Sequence, residues 1–531
     1  MSLILALVAT AIIGVAFLYE LSRDLMMFQQ NSYRRERYMH WLRQSGDTTS
    51  WWRLIALIIL FVSLSSLCKS DYVAYILTSI LAISLIAKLS RAHYKKPLAW
   101  TARARRIYAV SIVVAAIAVA TGSLACDFTG GHMKPVVLTL LGCYCASHII
   151  IIVANTILKP VDFAINRHYY NDAAKRLASM PDLKIIGITG SYGKTSTKHY
   201  LHRILSEQFD TLMTPGSFNT TLGVIRTVRE YLKPYNEVFI VEMGAKQPGD
   251  IKEICDLVHP TTGIITAVGP QHLESFKTIE NVQATKFELA DAMPDDGLVI
   301  LNNDFEYIAN RKVENTNALR YKVSSDNTSD YQATNVEYTS HGTTFTVCGP
   351  DDWRLDINTR LMGECNVSDL LAAIVCAHSL GVSDSKIKGA VASIEPVEHR
   401  LSVKTTAAGI TILDDAFNSN PVGSRMALEV LGAMKGGRRI VITPGMIELG
   451  DEQFELNRQL GATAARNCDI AIVVGQYNRE AIASGIEEAN VLDKNSVHLV
   501  DSFAEAQRLL STFVAKGDII LYENDLPDTF K

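Results

Sequence analysis

The segment Leu183-Lys184-Ile185-Ile186-Gly187-Ile188-Thr189 is an apolar run of strand length that enters Gly190-Ser191-Tyr192-Gly193-Lys194-Thr195-Ser196 and then a helix-forming stretch, Thr197-Lys198-His199-Tyr200-Leu201. A strand that turns through glycines into a helix start aims backbone N–H groups at an anion, and it belongs to an α/β layer with a parallel sheet. Lys194 supplies a compact positive charge for phosphate and Thr195 a hydroxyl for magnesium. The full phosphate-loop expression wants glycine at 188, where this chain has Ile188. The match is therefore to the Gly-Lys-Thr core in its strand-to-helix setting.

Downstream, short apolar runs alternate with longer helical patterns. Candidate strands are Lys184 to Thr189, Glu237 to Glu242, Thr262 to Val268, Leu298 to Leu301, Gly409 to Leu413, Arg439 to Thr443, Ile470 to Val474 and Asp518 to Tyr522. That rhythm predicts parallel sheets covered by helices, with a small antiparallel insertion around residues 320–360, where Thr343-Thr344-Phe345-Thr346-Val347 alternates. The second strand ends in Glu242, a carboxylate placed to hold a metal that bridges nucleotide phosphates, and Met243-Gly244-Ala245 makes a tight turn beside it. His272 follows the next strand in Gly269-Pro270-Gln271-His272. Strand ends bearing Lys194 and Thr195, Glu242 and His272 converge on the carboxyl edge of the sheet, where ligands gather in open α/β folds.

The first 160 residues read differently. Charge-free apolar runs occupy Met1 to Tyr19, Leu54 to Cys68, Tyr72 to Ala87, Ile107 to Cys126 and Pro135 to Leu158, which predicts five transmembrane helices, the second and third short for a full span. Arginines and lysines crowd two connections (Arg23 to Arg53, Lys88 to Arg106), whereas Lys69 and Lys134 stand alone in the others. The positive-inside rule then puts the N-terminus outside and everything after Leu158 in the cytosol. Residues 161–182 mix basic, aromatic and small side chains and suit an interfacial helix or a plain connector. At 531 residues, and with roughly 150 residues per domain, the chain holds several units. A net charge of -4 offers no electrostatic footprint for nucleic acid. Nine scattered cysteines without a CxxC pair read as reduced thiols, not as a zinc ribbon or disulfide framework.

Taken together, Gly190 to Ser196, Phe218-Asn219-Thr220, Glu242-Met243-Gly244-Ala245, Gly269-Pro270-Gln271-His272-Leu273-Glu274 and Leu301-Asn302-Asn303-Asp304 resemble the central domain of the Mur ligase family in order and spacing. Asp414-Asp415-Ala416-Phe417-Asn418-Ser419-Asn420-Pro421 and Gly445-Met446-Ile447-Glu448-Leu449-Gly450 resemble the C-terminal signature of its D-alanyl-D-alanine-adding members. The resemblance covers about residues 183–531 and implies an ATP-binding central domain over 183–383 and a Rossmann-like C-terminal domain over 384–531, after the membrane region over 1–160 and the linker over 161–182 that the apolar runs predict. It implies ATP and Mg2+ as cofactors. Gly190, Ser191, Gly193, Lys194, Thr195 and Ser196 would hold phosphate, with Asn302, Arg400 and Asp415 at the nucleotide. Thr195, Glu242, His272 and a carbamoylated Lys286 would serve the metals; by its own context Lys286 is a helix-surface lysine. The implied chemistry is phosphorylation of a carboxylate and its displacement by an amine, in a bacterial cytoplasmic-membrane protein making envelope precursors. The partners would be an envelope-precursor carboxylate, an amino acid or dipeptide amine, and membrane lipid.

Three positions depart from the family pattern. No uridine-diphosphate-binding domain precedes the central one, the usual His-Asn reads Cys365-Asn366 with Asp369 for a second asparagine, and the end reads Leu521-Tyr522-Glu523-Asn524-Asp525-Leu526-Pro527-Asp528 without the expected lysine. Two alternatives accordingly stand beside the ligase: a transport or signalling ATPase, and a catalytically weak scaffold.

Overall fold

The computed structural model describes residues 2–64, 71–92, 94, 96–125, 133–314, 317–323, 328–339, 342–417 and 419–526. Met1, Cys68, Lys69, Cys126, Asn418, Pro527 and Asp528, all used above, lie outside the described residues. The described residues form two compact units, one up to residue 167 and the other over residues 168–526.

The first unit is helical: α1 (Ser2–Gln30), α2 (Arg35–Gln44), α3 (Trp51–Leu64), α4 (Asp71–Ser90), α5 (Ala102–Ala125), α6 (Lys134–Cys145) and α7 (Ser147–Ala178), the last running on into the second unit. Four of them are long and apolar enough to cross a membrane by length and composition: α1, α4, α5 and α7. The expectation of five spans changes in two places. Leu54 to Leu64 makes only the short helix α3, and the Pro135–Leu158 run breaks at Ala146 into two helices. Nor is the first helix free of charge, because it continues past Tyr19 and carries Glu20, Arg23 and Asp24. Arg53 Nη2 meets Glu20 at 2.9 Å and Asp24 at 3.1 Å, and its Nη1 donates to Cys145 O at 2.9 Å. All three side chains are buried, a polar knot that holds α1, α3 and the α6–α7 joint together. The separate linker expected at 161–182 is instead the second half of α7, which passes through Pro160 without ending.

The second unit begins with a nine-stranded sheet in the order β2-β3-β1-β4-β5-β6-β7-β8-β9. Its strands and helices run β1 (Lys184–Thr189), α8 (Lys194–Leu205), β2 (Thr211–Met213), α9 (Thr221–Glu230), β3 (Val238–Glu242), α10 (Asp250–Val258), β4 (Thr262–Ile265), α11 (Leu273–Phe276), α12 (Ile279–Asp291), β5 (Leu298–Asn302), α13 (Glu306–Ala309), β6 (Asn317–Lys322), β7 (Tyr331–Thr339), β8 (Gly342–Cys348), β9 (Arg354–Thr359), α14 (Glu364–Ser379) and α15 (Asp384–Ala392). Strands β2 to β7 pair in parallel, and β7, β8 and β9 are antiparallel. The expected insertion is thus the far end of the same sheet. The apolar strands are continuous because both faces are covered: Ile186, Ile188, Ile240 and Ile264 pack with Tyr200 and Leu201 of α8 and the apolar length of α14, while Ile185, Phe239, Val241 and Ile265 pack with α9, α10 and α12.

The C-terminal sheet has the order β10-β11-β15-β12-β13-β14. Its elements are β10 (Ser402–Thr405), β11 (Thr411–Asp415), α16 (Pro421–Ala433), β12 (Arg439–Thr443), α17 (Gln453–Asn467), β13 (Ile470–Val474), α18 (Arg479–Ala489), β14 (Val497–Val500), α19 (Phe503–Phe513) and β15 (Ile519–Glu523). Only β10 is antiparallel to its neighbour.

Candidate functional site

The turn between β1 and α8 is built to approach a ligand closely. Gly193 has φ +78° and caps α8, and a Cβ there would stand 2.0 Å from Asp369 Oδ1, so both conformation and space call for glycine. Gly190 is packed as tightly, 2.2 Å from Thr266 Oγ1 by the same measure. Ser191 is buried; its hydroxyl donates to Gly269 O at 3.0 Å and accepts from Gly269 N at 3.1 Å, fixing the loop to the β4 edge. Ser196 is buried in the first turn of α8. Lys194 Nζ donates to Gly190 O at 2.7 Å and Ser191 O at 3.2 Å, curled over the loop it would share with a phosphate. Burial, only partly offset by Glu242, brings its pKa down to about 8.

Glu242, at the end of β3, receives the Thr195 hydroxyl at 3.1 Å and the Asn219 amide at 3.0 Å on Oε1. Lys198 Nζ lies 3.1 Å from Oε2 in a buried ion pair and also donates to Gly216 O at 2.7 Å. Burial alone would raise the Glu242 pKa; the ammonium groups of Lys198 and Lys194 outweigh it and hold the carboxyl below the ordinary glutamate value. A charged carboxylate beside a threonine hydroxyl is a hard-oxygen donor set that fits Mg2+.

Lys286 on α12 corrects its reading as a surface lysine: it is 2% exposed. Helical periodicity could not show this, because α12 is buried on more than one side, with Thr285, Lys286 and Phe287 all covered. Burial, then the neighbouring Lys194 charge, holds the amine well below its usual pKa. His272 sits near enough to Lys286 to feel its charge, and its Nδ1 makes a short contact with Glu448 Oε2 from the C-terminal sheet's β12–α17 turn. Asn302, at the end of β5, is fully engaged: Nδ2 donates to Thr266 O at 2.8 Å and Ser368 Oγ at 2.9 Å, and Oδ1 accepts from Asp304 N at 3.0 Å.

From the C-terminal domain, Arg400 donates to Phe417 O at 3.1 Å with its guanidinium 4.7 Å from that ring's centre. Asp415 accepts from Leu401 N at 3.0 Å; burial, against the pull of Arg400, lifts its carboxyl to about 6. Its register partner across β11 and β15 is Glu523, fully buried and raised well above the ordinary carboxylate range by burial and then by Asp415. Between α8 and the 393–400 segment lies a cavity of about 710 Å³ lined among others by Thr195, His199, Arg203, Ser217, Arg400 and Phe417.

Several site residues were not singled out by sequence. Lys198 is one helical turn beyond Lys194 on the same face, a spacing that could have flagged it. Asp369 and Glu523 were noted only as departures, and the structure puts Asp369 against the phosphate loop itself. Asn219 and Glu448 stood inside quoted motifs without a role.

A phosphate-binding loop, an acidic strand end and charged groups delivered from a second domain define a nucleotide-dependent phosphoryl-transfer enzyme with a two-domain site. The chain matches the Mur ligase middle domain over residues 188–377 and the Mur ligase, glutamate ligase domain over residues 399–522. It is 32% identical over 343 residues to UDP-N-acetylmuramoyl-tripeptide--D-alanyl-D-alanine ligase of Escherichia coli K12, covering 63% of this chain and 74% of that one. With the same-named ligase of Mycobacterium tuberculosis H37Rv it shares 32% over 362 residues, 64% of this chain and 70% of the relative. Among solved structures, MurF from Acinetobacter baumannii superposes with TM-score 0.61 at 26% identity, covering 68% of this chain and 77% of that one. The chain belongs to the Mur ligase family and is an ATP-dependent ligase. Multi-pass placement in the bacterial cytoplasmic membrane with an outside N-terminus is thereby corrected: the related Mur ligases are soluble cytoplasmic enzymes, and the apolar helices qualify as spans by length and composition only.

Proposed function

We propose that this chain joins a carboxylate to an amine in peptidoglycan precursor synthesis, in the manner of a D-alanyl-D-alanine-adding ligase. The observation that carries the reading is the meeting of Lys194, the Thr195–Glu242 pair, His272 and buried Lys286 at one sheet edge, with Arg400 and Asp415 brought from the C-terminal domain. Lys194 exchanges the Gly190 and Ser191 carbonyls for nucleotide phosphate, and the amides of the Gly190–Ser196 turn complete the cradle. Thr195, Glu242 and His272 would hold magnesium, which would supply neutralisation of charge on the phosphate oxygens. Burial, which holds the Lys286 amine well below its usual pKa, favours the uncharged form that adds CO2, and its carbamate would give this wall a further oxygen donor. Arg400 and Asp415 orient the nucleotide from the other domain, so domain closure completes the site and excludes water.

The acceptor carboxylate enters the cavity beside Thr195, whose His199, Arg203 and Arg400 wall suits an acidic peptide end. The relatives named above act on a uridine-nucleotide-linked tripeptide and D-alanyl-D-alanine, and these are the substrates to try first. Purified protein given ATP, Mg2+, UDP-N-acetylmuramoyl-tripeptide and D-alanyl-D-alanine should release phosphate only when both co-substrates are present, with the amide product seen by mass spectrometry. No release with any nucleotide-linked peptide, or release indifferent to Lys194→Ala, would overturn the reading.

A further inference from the structure

The contact between His272 and Glu448 joins residues 176 positions apart, one on the central sheet's edge and one on the C-terminal domain. Both hold backbone conformations that ordinary side chains rarely adopt, His272 at φ +53° and Glu448 at φ +63°. Strain of that kind persists only where surroundings enforce it, and it clusters at functional positions. Here the surroundings are visible. Glu274 N donates to Glu448 O at 3.3 Å, and Gly450 lies so close that an added Cβ would stand 3.3 Å from Glu274 N. Lys246 Nζ reaches the other carboxylate oxygen of Glu448 at 3.8 Å. The turn carrying Glu448 is therefore held against the short helix α11 by backbone as well as side chain.

An imidazole whose Nδ1–H is given to a carboxylate carries its lone pair on Nε2, the tautomer a metal requires, and such a carboxylate also fixes the ring's orientation. We propose that Glu448 is the positioning residue of the metal site, orienting His272 only while the C-terminal domain is docked, so that docking and assembly of the metal site are one event. The proposal rests on the reading of His272 as a metal ligand.

The test is Mn2+ uptake followed by electron paramagnetic resonance on the full chain with a non-hydrolysable ATP analogue. Glu448→Ala should weaken nucleotide-dependent Mn2+ binding by on the order of 10- to 100-fold. Glu448→Gln, whose carbonyl still accepts from Nδ1, should recover most of that loss. Unchanged Mn2+ affinity in folded Glu448→Ala, or no recovery in Glu448→Gln, would overturn the positioning role. Wild-type protein that took up no nucleotide-dependent Mn2+ would be a different result, removing the metal reading of the site itself and this proposal with it.

Discussion

Asp369 packs its carboxyl on Gly193, and burial, against the opposing pull of Thr197, Arg400 and Lys194, holds its pKa up to about 8. A carboxyl raised above its unfolded value contributes stability that is intact below about pH 4 and is lost as pH climbs through the folded value near 8. Asp369→Asn removes that loss, so its gain in Tm over wild type should grow between pH 5 and 8, reaching on the order of 5 °C. Thermal melts across that range check it, and a pH-independent difference would contradict it. Lys194 titrates in the opposite sense. Its pKa of about 8 means that nucleotide affinity should hold below that pH and weaken above it, by at most about tenfold per unit, a trend that calorimetry would read directly. At neutral pH, Lys194→Ala should lower phosphate release by about 100-fold or more. The residues that sequence exposed were those in turns, where glycine and lysine have few structural uses. Those it hid, Lys286 and Asp369, are polar side chains at buried positions, where only the neighbours brought in from distant strands decide whether a charge is solvated.

Helices α17 and α18 approach so closely that a Cβ on Gly485 would stand 1.8 Å from Arg458 O, and one on Gly461 would stand 2.1 Å from Ile482 O. Gly485→Ala must therefore spread the pair, and we expect it to destabilise the C-terminal domain by about 1–3 kcal/mol, measurable by urea titration. Elements with a single periodicity were the legible ones. Strands β1, β12 and β13 run between the residues their apolar runs predict, and β3 and β5 differ by one residue at an end. The short β2 and the edge strands β10 and β14 escaped notice, since three or four residues of partly exposed strand carry too little alternation to stand out. The N-terminal runs misled for a related reason: a charge-free stretch does not show where its helix ends, and α1 extends beyond Tyr19 to carry Glu20, Arg23 and Asp24, of which Glu20 and Asp24 are buried.

Across the whole molecule, the nucleotide site lies within residues 168–526, while the Arg53 knot lies within the first unit. Nucleotide at about 100 times its Kd should add about 2.7 kcal/mol to whichever calorimetric transition carries the ligase domains. Arg53→Ala should instead lower the transition of the helical unit by about 3–5 kcal/mol, because it strands Glu20 and Asp24. One shared transition that responds to both changes would contradict that division. The position of β15 sets a different condition. The last strand among the described residues occupies the middle of its sheet, paired with β11 on one side and β12 on the other. During synthesis the C-terminal sheet therefore waits in two halves, each with a bare edge, until β15 leaves the ribosome. A premature stop at Ile519 would leave a nascent domain with no way to close and a strong tendency to aggregate.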